Sequence, residues 1–356
     1  MPLIVEANKP LAPLTTFGIG GPARWFVEAR SEDEVVEAVE WAEERGLHIF
    51  VLGGGSNLLV ADRGFDGLVL KVGLRGIGAA HAEDGSGDVI FEAAAGADWD
   101  SFVDRTVQDG CAGIECLAGI PGTVGGTPVQ NVGAYGQEVA SVIYRVRALD
   151  LLDKSFVAFA ADECGFGYRR SRFNSVDRGH FIVTSVHYRL TPGGSPMVGY
   201  PDLQRVIEAS GLDGRRATVG AVAAVVRQVR RSKGMLLVEG DPDCRSAGSF
   251  FKNPVVDADA VRRIAEVSGK EPRTFPAGAD GAGRVKMPAA WLIEQAGFTK
   301  GFAMGAAGVS SRHTLALINR GGATAAEILE LAGQISEAVW DRFGIALERE
   351  PVLLGF

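Results

Sequence analysis

The stretch from Ala118 to Gly136 constrains this chain more than any other. It carries six glycines, Gly119, Gly122, Gly125, Gly126, Gly133 and Gly136, and shows no helical or strand period. A structureless run of this length inside a compact chain is usually a functional loop; the alternative is a mobile surface loop. Its small residues, threonine hydroxyls and Asn131 suit a flat polar ligand held at close range.

A second glycine cluster follows a short apolar run, Leu47–Leu52, as Gly53-Gly54-Gly55-Ser56-Asn57. Successive backbone amides in such a turn form an anion nest. A tight turn with no ligand is an equal reading of these residues alone. A third cluster, Gly18-Ile19-Gly20-Gly21-Pro22-Ala23, formally matches a dinucleotide fingerprint. No strand leads into it, and no acidic residue about 20 positions on closes a βαβ unit. Two separate nests with small polar neighbours suit an extended dinucleotide such as FAD better than NAD on a Rossmann unit.

Composition narrows the class. At roughly 100–200 residues per domain, 356 residues imply two or three domains. The formal net charge is −8 and no Lys/Arg block stands out, which argues against a nucleic-acid partner. The four cysteines, Cys111, Cys116, Cys164 and Cys244, form no Cys-x-x-Cys or Cys/His metal spacing, so free buried thiols and no metal are expected. Met1 to Pro13 lacks a basic-then-apolar signal pattern. No apolar run reaches the ~18 residues that span a bilayer. The expectation is a cytoplasmic protein with no membrane contact.

The element pattern is mixed. Ser31 with Glu34 reads as a capping box, with Val35, Val39 and Ala42 on one face and Gly46 at the stop. Trp99–Asp109, Ala217–Lys233, Asp257–Ser268, Ala289–Ala296 and Thr324–Phe343 also read as helices, the last with a Thr324/Glu327 box. Strands are expected at Leu68–Val72, Val89–Ala94, Val142–Leu151, Phe156–Phe159 and His180–Leu190. Thr191–Pro196 is the best linker candidate.

Five segments together resemble the motifs of the UDP-N-acetylenolpyruvoylglucosamine reductase family, in its order, over roughly residues 11 to 353. They are Gly53–Asn57, Ile120–Gly136, Gly167-Tyr168-Arg169-Arg170-Ser171, Ala247–Pro254 and Trp291–Gln295. The Pro121–Gly126 loop alone would suggest only the wider vanillyl-alcohol-oxidase superfamily. The Ser249-Phe250-Phe251-Lys252-Asn253-Pro254 block narrows it to the reductases.

The resemblance implies an α+β chain. A two-part FAD-binding domain of the vanillyl-alcohol-oxidase (PCMH) type would cover 1–190, its halves being about 1–72 and 73–190. A linker with the tyrosine-loop insert of the type I subgroup would cover 191–216, and an α+β substrate-binding domain 217–343. A C-terminal strand within 344–356 would return to the FAD domain. Non-covalent FAD would lie on Gly53, Gly54, Gly55, Ser56 and Asn57, and on Gly119, Ile120, Pro121, Gly122, Thr123, Gly125, Gly126, Asn131, Gly133, Ala134 and Tyr135. No His or Cys lies in residues 50–80 to tether a flavin.

The implied reaction is reduction of UDP-N-acetylglucosamine enolpyruvate to UDP-N-acetylmuramate, with NADPH as hydride donor, in peptidoglycan synthesis. Hydride arriving at the methylene carbon leaves an enolate that needs a cationic or hydrogen-bonding partner and then a proton. By motif match Ser249 is the proton donor, and Arg169 and Glu350 stabilise the enolate. Serine is a weak acid, but the acceptor is a very basic carbanion. The choice of Arg169 over Arg170 rests on the motif. On a strand Glu348 and Glu350 share a face, so spacing cannot choose between them, and Arg349 stands where the family often has Pro.

Tyr200, in Gly199–Leu203, resembles the tyrosine loop that closes over the nucleotide sugar. Arg230, Lys233, Asn253 and Gln295 would meet its phosphates or sugar. Gly234-Met235 follows Lys233 where the family usually has Leu-Pro, which leaves that loop's shape open. The partner is a small UDP-sugar, and the expected state is a monomer. The alternatives are another FAD oxidase of the superfamily, or a non-catalytic nucleotide-sugar binder.

Overall fold

The computed structural model describes residues 3–209, 217–277 and 283–356. Residues 210–216 of the expected linker lie outside them. The described chain is α+β, and it divides into two compact units. The first holds Met1–Lys9, Ala23–Gly54 and Asp66–Ser232. The second holds Pro10–Pro22, Gly55–Phe65 and Lys233–Phe356.

The first unit contains two sheets. One orders its strands Glu6–Pro10, Pro22–Ala29, Phe65–Val72, Ile49–Leu52. Helix α1 (Glu32–Glu43) begins where expected: Ser31 accepts the Glu34 amide, and Glu34 reaches back to the Arg30 amide at 2.7 Å. Ile49–Leu52 runs parallel to Phe65–Val72, with Leu52 opposite Lys71. The first glycine loop therefore leaves the carboxyl end of a parallel strand, where α/β sheets commonly bind ligands.

The second sheet is antiparallel, in the order Phe156–Ala160, Ile143–Asp150, Phe181–Pro192, Val89–Ala94, Ile77–His81. Helix α2 (Trp99–Gln108), capped by Asp98, buries Trp99 and Phe102 against Tyr188, with the Phe102 and Tyr188 rings 4.9 Å apart. Helix α3 (Pro201–Ala209) was not foreseen in the insert; its buried residues are only Leu203 and Ile207. Helix α4 (Val219–Ser232) turns Val222, Val226 and Val229 into the same core. The sequence reading places α4 in the second domain; its apolar stripe packs it with the first unit, whose boundary falls at Ser232.

The second unit packs helices α5 (Ala258–Ser268), α6 (Ala289–Gln295) and α7 (Ala325–Phe343) around Phe250, Leu292, Ile328, Leu331 and Ile335. The Thr324 capping box forms, and the Asp62 carboxylate takes the next two amides, Ala325 and Ala326. Val352–Leu354 pairs in parallel with Leu58–Val60. The sequence reading returns 344–356 to the FAD domain; the strand does return to an early segment, and that segment clusters with the second unit. The rejected fingerprint has another use here. A Cβ on Gly21 would stand 2.5 Å from the Gly64 nitrogen, so its glycines serve a backbone crossing.

Candidate active site

The two glycine loops, separate in the sequence, form one surface in the first unit. A Cβ on Gly54 would lie 2.5 Å from Gly122 Cα, and one on Gly53 would lie 2.9 Å from Thr123 Oγ1. Backbone thus rests on backbone. The start of the longer loop is held from both sides. The Gly119 amide donates to Asp100 at 2.6 Å, and its carbonyl accepts from Arg230 Nε at 3.0 Å. Asp100 also pairs with Arg227 at 2.6 Å. Further on, Gly125 donates to Ala95 at 2.8 Å.

Between these anchors the amides of Gly122 and Thr123 make no hydrogen bond among the described residues. Two consecutive amides of this kind are the donor set of an anion nest. Gly126 has nothing within 4 Å of where its Cβ would be. Free donors beside open backbone fit the pyrophosphate of FAD. The remainder of the first motif, Gly55, Ser56 and Asn57, clusters with the second unit, where Asn57 donates to the Glu350 carbonyl at 3.3 Å.

Among the described residues five non-glycines have positive φ: Asn8, Asn131, Tyr135, Lys154 and Arg169. Three of them are candidate site residues. The left-handed region costs an ordinary residue about 1–2 kcal/mol, and such strain persists only where surroundings enforce it. Here they do. Asn131 donates to Glu138 and to the Gly167 carbonyl, both at 3.0 Å, and accepts the Ala140 amide at 3.1 Å. Arg169 sits in a turn closed by reciprocal Gly167–Arg170 backbone bonds, with Asn174 holding its carbonyl. Its guanidinium donates to the Gly133 carbonyl at 2.9 Å. Arg170 is exposed. The arginine turned onto the glycine-rich loop is therefore Arg169.

Tyr135, Tyr200 and Arg230 form a group in the same unit. The two tyrosine rings meet edge to face at 5.4 Å, and Arg230 hydrogen-bonds Tyr135. Burial pushes the Tyr135 hydroxyl up to about 12, against the pull of Arg230. Arg230 is itself buried, and that burial pushes its guanidinium below the usual range. Its place is under the loop start and Tyr135.

In the second unit Ser249 follows Gly248, whose φ is 74°, and is half-buried. Residues 250–252 pair antiparallel with 348–350: Glu350 N–H donates to Phe250 O and Lys252 N–H to Glu348 O, both at 2.9 Å. Glu348 is engaged by Lys252 and its side chain is 73% exposed, whereas Glu350 is half-buried and its N–H bonds Phe250, the residue after Ser249. The structure thus separates two carboxylates that spacing could not. Lys233 precedes Gly234, which has φ 66°. A Cβ there would stand 2.9 Å from Asp243 Cβ and 3.2 Å from Arg312 Nε. Asp243 is buried and bonded by Ser311 and Arg312, both at 2.7 Å. A leucine would not fit, which accounts for the departure at this position. Asn253 accepts the Ala289 amide at 2.9 Å and so caps α6, and Gln295 accepts from Lys270 at 3.4 Å.

Sequence reasoning passed over Asp100, visible there only as a first-turn acid of α2. No group of His, Cys, Asp and Glu able to hold a metal is present among the described residues, and no helix is long and apolar enough to cross a membrane.

A glycine nest shaped for a dinucleotide, in a mixed α/β unit, defines a flavin-binding oxidoreductase class. Comparison with known proteins agrees. Residues 23–155 match the model of the FAD binding domain, and residues 241–354 that of the UDP-N-acetylenolpyruvoylglucosamine reductase C-terminal domain. The UDP-N-acetylenolpyruvoylglucosamine reductase of Thermobifida fusca is 46% identical over 98% of this chain and 97% of its own. That of Streptomyces coelicolor is 44% identical, over 98% and 90%. The crystal structure of the Thermus caldophilus reductase superposes with a TM-score of 0.65 at 26% identity, covering 99% of each chain. The chain belongs to the UDP-N-acetylenolpyruvoylglucosamine reductase family, and it is an FAD-dependent oxidoreductase.

Proposed function

We propose that the protein reduces UDP-N-acetylglucosamine enolpyruvate to UDP-N-acetylmuramate with NADPH, as a cytoplasmic monomer supplying peptidoglycan precursor. FAD, bound non-covalently, would supply the hydride chemistry that links NADPH to the substrate's methylene carbon. Gly53, Gly54, Gly122 and Thr123 would hold its pyrophosphate. The chain's own residues then manage charge and a proton.

Arg169 offers a fixed guanidinium to the negative charge that spreads into the substrate carboxylate. Its backbone strain and its bond to Gly133 hold that charge in one place, so little reorganisation accompanies the reaction. Ser249 gives its proton to the adjacent carbon, and Glu350 supports the enolate. Tyr200 closes on the nucleotide sugar. Lys233 meets a phosphate, and Asn253 and Gln295 line the sugar. Arg230 acts from beneath, through Gly119 and Tyr135.

The observation that supports this reading most is Ser249. It is half-buried and its hydroxyl makes no hydrogen bond among the described residues, in a turn tied to Glu350 through Phe250. A serine that served only as a cap would be bonded to backbone. The test is anaerobic stopped-flow absorbance at the oxidised-flavin band. Enzyme reduced with NADPH should reoxidise rapidly on adding the enolpyruvyl sugar. Ser249→Ala should lose that phase and keep reduction by NADPH. Turnover with oxygen or a plain alcohol, and none with the sugar, would replace this reading with the oxidase one.

A further inference from the structure

Glu115 carries a buried carboxylate that the reaction does not use. It is 1% exposed, and no lysine or arginine lies within ion-pair distance among the described residues. Three N–H groups hold it instead. Gly113 N–H donates to Oε2 at 2.8 Å; Gln137 Nε2 and Met197 N–H donate to Oε1 at 2.7 and 2.8 Å. Burying an ion without a counter-ion is costly, and charge-assisted hydrogen bonds are what offset it. A carboxylate in such a place joins three chain segments that an apolar residue could only fill space between.

The segments matter because of what they carry. Gln137 lies two residues beyond Tyr135, and its own Oε1 accepts the Cys116 amide at 2.7 Å. Met197 lies three residues before Tyr200. Its carbonyl accepts from the Cys116 thiol at 3.2 Å, so both backbone groups of Met197 are tied to the Glu115-Cys116 pair. The arms that leave this knot meet again where the Tyr135 and Tyr200 rings pack edge to face. We infer that Glu115 is a positioning residue: it latches the 194–200 strap to the glycine-rich loop and so sets Tyr200 over the nucleotide-sugar position. This rests on the reading of Tyr200 as a substrate contact.

The carboxylate is needed for its acceptor count. Both oxygens face donors, so Glu115→Gln must set an NH2 group against an N–H. The test is equilibrium titration of FAD-loaded enzyme with UDP-N-acetylglucosamine enolpyruvate, followed by the flavin absorbance. The variants are Glu115→Gln, Tyr200→Ala and the double variant, with steady-state KM and kcat measured alongside. Glu115→Gln should raise Kd and KM about tenfold, the loss of roughly one charge-assisted hydrogen bond, with kcat and FAD content kept. In the Tyr200→Ala background it should add no more than about twofold, because the group it positions is gone. A full tenfold loss on top of Tyr200→Ala would overturn the latch and leave Tyr200's role intact. An unchanged Kd in Tyr200→Ala would remove both. Should Glu115→Gln not fold, Met197→Pro deletes the strap's donor while the carboxylate keeps its other two. It must reproduce the rise in Kd, and a wild-type Kd there overturns the proposal.

Discussion

Gly54→Ala tests whether the two glycine loops work as one surface. The added methyl would stand 2.5 Å from Gly122 Cα and 2.9 Å from Gly122 C, where ordinary contact begins at 3.4 Å. The loops must part by about 0.9 Å. The neighbours are backbone, so no rotamer change relieves the clash. Gly54 does not have positive φ, so the cost comes from proximity alone. Overpacking of this kind costs about 1–3 kcal/mol. A shift of that size carries an amide out of the hydrogen-bonding window of a pyrophosphate oxygen. FAD affinity should therefore fall roughly 5- to 150-fold. Gly78→Ala, in the strand Ile77–His81, is the control, because nothing lies within 4 Å of its Cβ, its φ is not positive and it belongs to neither glycine loop; it should stay within about 0.5 kcal/mol of wild type. The assay is FAD content after gel filtration, with flavin fluorescence titration of the apoprotein for Kd. A wild-type Kd for Gly54→Ala, or an equal loss in Gly78→Ala, would refute the close-approach argument.

Three further outcomes follow from the geometry. Tyr135 is raised from 10.0 to about 12 in the folded state, so its contribution to stability is full below pH 10 and fades as pH rises through about 12; Tyr135→Phe should flatten the alkaline loss in that window, read by denaturant titration at each pH. Thr324→Ala removes the acceptor of the Glu327 amide, but Asp62 keeps Ala325 and Ala326 satisfied. The loss should stay at or below about 1 kcal/mol, measured by urea unfolding of the second unit's signal. All four cysteines are buried, and burial raises every one of their thiols above the ordinary value, Cys164 to about 12. The native protein should thus react slowly with a thiol reagent and release four equivalents only on unfolding.

Much of the local structure was legible. The Thr324 box forms, Ser31 caps its helix while Glu34 takes the Arg30 amide in place of the cap's own, and the strand over Val89–Ala94 matches residue for residue, because caps and β-branched runs act within a few positions. Helix α3 was hidden by a proline-led, glycine-rich approach that reads as linker. The allegiance of α4 was also hidden, since an amphipathic stripe declares that it will be buried without naming the partner.

By itself the sequence determined most of the helices and the longer strands, the flavin chemistry implied by glycine loops, and the family implied by the order of motifs. Only the tertiary structure decided that Gly54 and Gly122, 68 positions apart, share one surface. It also turned Arg169 inward with Arg170 exposed, and it occupied Glu348 with Lys252 while Glu350 stayed half-buried beside the Ser249 turn. The reason is range. Propensity, capping and periodicity are interactions among neighbours along the chain, and residue types record them directly. Which of two like side chains faces a ligand depends on the register of a distant segment and on backbone strain that distant contacts enforce, and neither leaves a local trace.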